Sequence, residues 1–492
     1  MRCTTNLGCA LAEDGGTALI DLGGETGVRV YAYADIESQA DAVARGLAAR
    51  GLRPGERVAI LAANRAEYLI AFLGILRAGL VAVPVNHKLP AATVAFVLED
   101  CDARLAICDS ARRPLVPAAV RCIVLPDGWN DLLDPGPFTA VALSPDEPAM
   151  FLYTSGSTGR PKGVVLSHRS HLWVLQVRSR APARPGRRVL VAAPLYHMNA
   201  LAMSQVTLAT GSTVVLLPGF TAASYIQAAV QHRVDALTAV PTMIAMVLRE
   251  RALLAGADLR AVETIRVGSA PLSKSLAEGI RATFPRAELS NGYGTTEAGP
   301  VVFGPHADGL PRPDLSPGAA HPEVELRLRS GGHIVADEGV LEMRGPAMMN
   351  GYHKLPDATR KAITADGFYI TGDVFRRDAD GFFFFVGRTD DMFVCGGENV
   401  YPGEVEKVLE AHPAVAQACV VPIPDELKGH KPVAFVVRHA PVTEDQLRRF
   451  ALANAPAYAH PRRVWFIDSL PLAGTNKVDR RHLMQRALED VP

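Results

Sequence analysis

Residues 58 to 85, VAILAANRAEYLIAFLGILRAGLVAVPV, fix more about the fold of this chain than any other stretch. It is the most hydrophobic segment, but Arg65, Glu67 and Arg77 interrupt it, so it does not read as a membrane-spanning helix. RVAILAA has the length and β-branched content of a buried strand. EYLIAFLGILRAG has the length of a helix, and LVAVPV resumes as a strand. The rhythm returns in TVVLLPG, AASYIQAAVQHR and ALTAVP. Buried strands alternating with helices predict parallel α/β sheets, whose ligands sit at the carboxyl ends of the strands.

The tone changes near residue 320. HPEVELRLRSGG and GVLEMRGPAMMNGYH alternate polar and apolar residues, as antiparallel strands do. From about 391 a βαβ-like pattern suggests a separate small unit. A chain of 492 residues is too long for one core. The fold class expected is therefore α/β. A large N-terminal domain over 1–387 combines parallel-rich sheets with a small antiparallel β subdomain, and a small, mobile α+β C-terminal domain spans 391–492.

Lysine plus arginine number 51, as do aspartate plus glutamate, so net charge gives no case for nucleic acid or for a polybasic membrane surface. Seven cysteines form no C-x-x-C pair and read as reduced thiols of a cytoplasmic protein. The opening MRCTTNLGCALAEDGG lacks the layout of a signal peptide.

Four clusters carry chemistry. In YTSGSTGRPKG (Tyr153 to Gly163), Gly156 and Gly159 allow close backbone approach. Thr154, Ser155, Ser157 and Thr158 bring hydroxyls and Lys162 a charge, an inventory suited to an anion. The spacing excludes a Walker A loop, because Pro161 precedes the lysine and Gly163 takes the place of its Ser/Thr. NGYGTTEAG (Asn291 to Gly299) reads as a tight turn with an aromatic ring and a carboxylate. YITGDV (Tyr369 to Val374) offers an aspartate, placed at a strand end. GRTDD (Gly387 to Asp391) offers an arginine and acids.

In this order the clusters resemble the signatures of the adenylate-forming family, which holds acyl-CoA synthetases, luciferases and peptide-synthetase adenylation domains. The likeness runs from about residue 30 to 482 and is nearest to aryl-CoA ligases. It implies an AMP-forming acid–CoA ligase using ATP, magnesium and coenzyme A, with loading of a carrier protein as the alternative. It also implies Tyr293, Gly294 and Thr295 beside adenine, with Thr296 near the phosphate and Glu297 as the magnesium ligand. Asp373 and Arg388 would hold the ribose, Asp390 would be the hinge within 388–390, and Lys477 in LPLAGTNKVDRR the catalytic lysine. His197 in PLYHMNAL would gate the acyl pocket, with Ser269 and Ala270 between acyl group and adenine. Trp173, Met198, Asn199 and Gly292 would line the pocket. Lys88, Gly396, Gly397, Tyr458 and His460 would meet CoA, the two glycines because a Cβ would narrow a pantetheine tunnel. The pocket candidates, with Val174 and Pro241, include no arginine, so an apolar acid is expected rather than malonate. The partners implied are small molecules, on a monomer or homodimer without a membrane span.

Overall fold

The helix predicted within residues 58–85 is buried along its whole length, and the three charges of that segment are satisfied internally. In the computed structural model, which describes residues 5–13, 16–23, 27–155, 160–180, 186–473 and 477–490, it runs Ala66–Arg77 with every residue buried. Arg77, 2% exposed, reaches Glu37 and Asp41 on the adjoining helix Tyr33–Ala49 at 2.6 and 2.7 Å, and donates to the Gly8 carbonyl. At the other end Asp21, from strand Thr17–Asp21, accepts from the Ala66 amide at 3.0 Å and from Arg29 at 2.5 Å. Glu67 is gripped by Arg29 and Arg65. A buried charge without a partner is costly, and here each polar interruption of the apolar run has one.

Two seven-stranded sheets form the bulk of the molecule. The first runs Glu288–Gly292, Thr264–Gly268, Ala236–Ala239, Arg188–Val191, Thr213–Leu216, Thr17–Asp21, Arg29–Ala32, and is parallel except for its last pair. The second centres on the parallel strands Arg57–Leu61 and Val81–Pro84. It ends on the antiparallel hairpin Pro148–Ser155/Pro161–Ser167, with Gly351–Tyr352 outermost. A five-stranded antiparallel sheet follows in sequence and includes Tyr369–Arg377 and Phe383–Arg388. The fold class expected from the alternation is the one found.

The last stretch builds a further sheet around the long hairpin Val415–Asp425/Gly429–Arg438, flanked by helices Pro402–Glu410, Glu444–Asn454 and Arg480–Glu489. It packs its own apolar clusters, around Leu409 and Val436 on one side and Phe435 and Leu483 on the other. Among the described residues no helix is long and apolar enough to cross a membrane.

Burial raises the Glu67 carboxyl, but hydrogen bonds from Arg29 and Arg65 more than reverse this and hold its pKa at about 2, against 4.5 ordinarily. Its contribution is therefore complete above about pH 4.5 and is lost as the pH falls towards 2. Glu67→Gln is expected to cost about 3 kcal/mol near neutrality. Urea unfolding at neutral pH and at about pH 3 should show that deficit shrinking in acid.

Candidate active site

Sheet ends, one hairpin and the C-terminal unit converge on a cleft of about 2270 Å³. Thr154 and Lys162 face each other across the Pro148–Ser155/Pro161–Ser167 hairpin and line the cleft. Strand leads to strand here, whereas a Walker loop leads into a helix. Gly156, Ser157, Thr158 and Gly159, four of the predicted anion-binding residues, lie outside the described residues, and Ser155 is described by its backbone alone. The Lys162 ammonium stands 4.5 Å above the Tyr352 ring. Tyr352 donates its hydroxyl to Glu297 at 3.1 Å, so one tyrosine ties the hairpin lysine to the predicted metal ligand. No sequence signal marked Tyr352.

Glu297 and Thr296 are presented by a turn in which Thr295 and Gly299 bond each other's backbones and Thr295 Oγ1 accepts from Ala298 N. Gly294 is required by contact: a Cβ there would lie 2.7 Å from the Gly299 carbonyl. Gly268 and Gly292 are likewise pressed together, with a Cβ at 268 falling 2.8 Å from the Gly292 carbonyl. Ser269 follows with φ +68°, a left-handed conformation rare for a non-glycine residue, and with Ala270 lines the cleft.

Asp373 lies in the middle of strand Tyr369–Arg377, not at a strand end as the sequence suggested. Gly372, at φ +72°, kinks the strand, and the Asp373 amide turns back to Thr371 Oγ1. Its side chain is 7% exposed, the carboxylate accepting from Tyr293 Oη at 2.5 Å on one oxygen and from Arg388 at 2.8 Å on the other. Burial holds it above the usual carboxylate range despite Arg388 and the tyrosine hydroxyl. A carboxylate has about four acceptor positions, so two remain for a ligand diol. Tyr293 packs edge-on against Phe375 at 4.8 Å, and Arg388 also reaches Asp390 at 3.4 Å.

Lys477 enters the same cleft from the C-terminal unit. Although its side chain is open to the cleft, protein surrounds it closely enough that desolvation lowers its pKa. Arg388 acts in the same direction and Asp373 opposes them. His197, where the helix Met198–Ala209 begins, is held at a pKa of about 4, first by burial and then by Lys477, Lys88 and His87. Its Nε2 is buried without a hydrogen-bond partner among the described residues. Met198, Asn199, Gly292 and Lys88 line the cleft with it.

Other predicted residues stand apart. Trp173 is buried with Val174 against Val301, Val324 and Ala347, its indole N–H donated to Glu323 at 2.7 Å, and neither residue is among those lining the cleft. Tyr458 packs on the C-terminal core, and His460 is engaged by the Ala457 carbonyl and Arg462. Gly396 and Gly397 form the turn between Phe393–Cys395 and Glu398–Val400 with φ of +64° and +88°. A Cβ on Gly397 would meet nothing within 4 Å and one on Gly396 only Lys428 Cγ at 3.9 Å, so the backbone of this turn, not crowding, requires glycine. Arg266, outside the pocket candidates named from the sequence, also lines the cleft, and its guanidinium covers Gly292.

Residues 12–353 match the AMP-binding enzyme family, and residues 404–477 match the AMP-binding enzyme C-terminal domain. The chain is 34% identical to a feruloyl-CoA synthase from an Amycolatopsis species, over 92% of this chain and 93% of that one. It is 34% identical to a fatty acid–[acyl-carrier-protein] ligase from Streptomyces coeruleorubidus, over 93% and 92%. The crystal structure of an anthranilate CoA ligase in complex with anthranoyl-AMP superposes with a TM-score of 0.89 at 25% identity, covering 98% of this chain and 97% of that one. The chain belongs to the AMP-binding enzyme family and is an AMP-forming acyl-CoA synthetase.

With a pKa of about 4, His197 stays neutral until the pH falls to that value. Its imidazole should contribute no limb to the pH–rate profile of acid activation between about pH 6 and 9. His197→Asn is expected to change the height of that profile and leave its shape unchanged, as measured by initial rates of pyrophosphate release.

Proposed function

We propose that the enzyme activates a carboxylic acid with an apolar body, aromatic or of medium chain length, and passes the acyl group to CoA through acyl-AMP. The observation that carries this reading is the meeting of Lys477, His197 and the Asp373–Arg388 pair in one cleft. In the first step a carboxylate oxygen forms a bond to the α-phosphorus of ATP. The bond to the bridging oxygen breaks, and pyrophosphate leaves with the electron pair. Two anions must approach, so the work of the protein is positioning and charge neutralisation.

Lys477 stands between carboxylate and α-phosphate and offsets the charge that accumulates there. The segment from Thr154 to Lys162, including Ser155, Gly156, Ser157, Thr158 and Gly159, receives the β- and γ-phosphates. Asp373 and Arg388 take the ribose hydroxyls, and Tyr293, Gly294 and Thr295 take the adenine, with Thr296 against the phosphate. Among the described residues no three His, Cys, Asp or Glu side chains gather as a metal cage. A lone carboxylate suits magnesium, which takes most of its ligands from phosphates and water. Glu297 would hold that ion, which supplies further neutralisation of the phosphate charge when bound. His197, Met198, Asn199, Ser269, Ala270 and Gly292 border the acyl group.

In the second step the CoA sulfur, as thiolate, attacks the acyl carbon, and AMP leaves with the electron pair. The body over 391–492 turns about 388–390, with Asp390 as pivot, against the body over 1–387. That turn withdraws Lys477 and brings Gly396 and Gly397 to the thiol path, with Lys88, Tyr458 and His460 along the nucleotide of CoA. The compartment proposed is the cytoplasm, supported by cysteines that are free thiols throughout the described residues.

Lys477→Ala should lower acyl-AMP formation by ~10²–10³ and spare thioester formation from synthetic acyl-AMP, since its charge serves the first transition state alone. Equal losses, with the two half-reactions measured separately, would contradict this role. Asp390→Pro should do the opposite, because a fixed φ removes the freedom a pivot needs. Normal acyl-CoA production by that variant would remove Asp390 from the hinge.

A further inference from the structure

Deep arginines in this fold come with acids. Arg77 has Glu37 and Asp41, Arg29 has Asp21 and Glu67, and Arg480 has Glu406. Arg266 breaks the pattern. It sits in strand Thr264–Gly268, directly opposite Ser290 in register, on the face it shares with Gly268 and Gly292. The guanidinium lies so close over Gly292 that a Cβ there would fall 3.0 Å from Nη2 and 3.1 Å from Cζ. No ion pair or hydrogen bond engages it among the described residues, and the charged groups that influence it are two further arginines, Arg178 and Arg312. Arg312 donates to the Leu289 carbonyl, while Arg178, near the end of helix His168–Ser179, is as unpartnered as Arg266. Burial, then Arg178 and Arg312, bring the Arg266 pKa down to about 9, so the site disfavours its own cation. A guanidinium at the cleft wall whose influencing charges are all of its own sign calls for a counter-charge.

We propose that Arg266, with Arg178 behind it, receives a second carboxylate at the far end of the acyl substrate. The acid taken would then be a dianion with an apolar body. This rests on the reading of the cleft as the acyl site, and it names the substrate class within that reading. Gly292 has a defined part, since any side chain there would occupy the space of the guanidinium.

The experiment compares matched acids that differ in one terminal group: 4-carboxycinnamate against 4-methylcinnamate, and adipate against hexanoate. The readout is pyrophosphate release with the wild-type enzyme, Arg266→Met and Arg266→Lys. The wild type should favour the dianion of at least one pair by ~10² in kcat/KM, carried mainly by KM. Arg266→Met should abolish or invert the preference while still turning over the neutral acid, and Arg266→Lys should retain part of it. Preference of the wild type for the neutral member of both pairs would overturn the proposal, whatever the variants do. So would equal loss on both members in Arg266→Met, which marks a structural role. If no acid releases pyrophosphate, the functional reading falls and this inference with it; if only neutral acids do, the inference alone falls.

Discussion

The carboxylate of Asp373 is the point at which the site is assembled. It belongs to the antiparallel sheet, where Arg388 at the end of strand Phe383–Arg388 is its cross-strand neighbour, while Tyr293 follows the carboxyl end of a strand in the first parallel sheet. One buried acid thus ties the antiparallel sheet to the first parallel sheet. Breaking such a contact by removing one partner leaves an uncompensated buried group, which costs far more than the intact arrangement contributes. Gly372, immediately before Asp373, takes a φ of +72° that departs from extended backbone.

Electrostatic preparation extends over the whole cleft. Burial, and then Arg388, lowers the pKa of Lys477, and burial, then Lys477, Lys88 and His87, keeps His197 neutral. Lys162 rests on the Tyr352 ring, whose hydroxyl faces Glu297. A cleft so furnished is suited to anions arriving from several directions. That is the requirement of a reaction that presses a carboxylate against a triphosphate and later admits the thiol of a nucleotide-bearing carrier. The unpartnered Arg266 extends the same logic to the far end of the acid.

Much of this was legible in the sequence, for reasons that differ by element. The α/β core was readable because parallel strands are buried on both faces and leave continuous apolar runs, as in VAILAA and TVVLLPG. The collinear clusters around Lys162, Glu297, Asp373, Arg388 and Lys477 stood out through their resemblance to the signatures of a known family, since read singly each is only a polar turn. Placement across the fold was not. Trp173 has the composition of a pocket residue, yet Glu323, 150 positions away, claims its indole. Asp373 looked terminal because a mid-strand glycine resembles a turn. Arg266 in an alternating strand reads as a solvated charge, and only the pairing of Thr264–Gly268 with Glu288–Gly292 turns it into the cleft. The distant partners of Arg77 and Glu67 were equally invisible, since Glu37 and Asp41 lie 40 and 36 positions from the arginine and Arg29 lies 38 from the glutamate.

The most direct test of the central claim is exchange of labelled pyrophosphate into ATP, with acid present and CoA withheld. A cleft that builds acyl-AMP before any thiol is needed predicts exchange that depends on the acid. Label entering ATP without acid, or ADP and orthophosphate appearing in place of exchange, would contradict it.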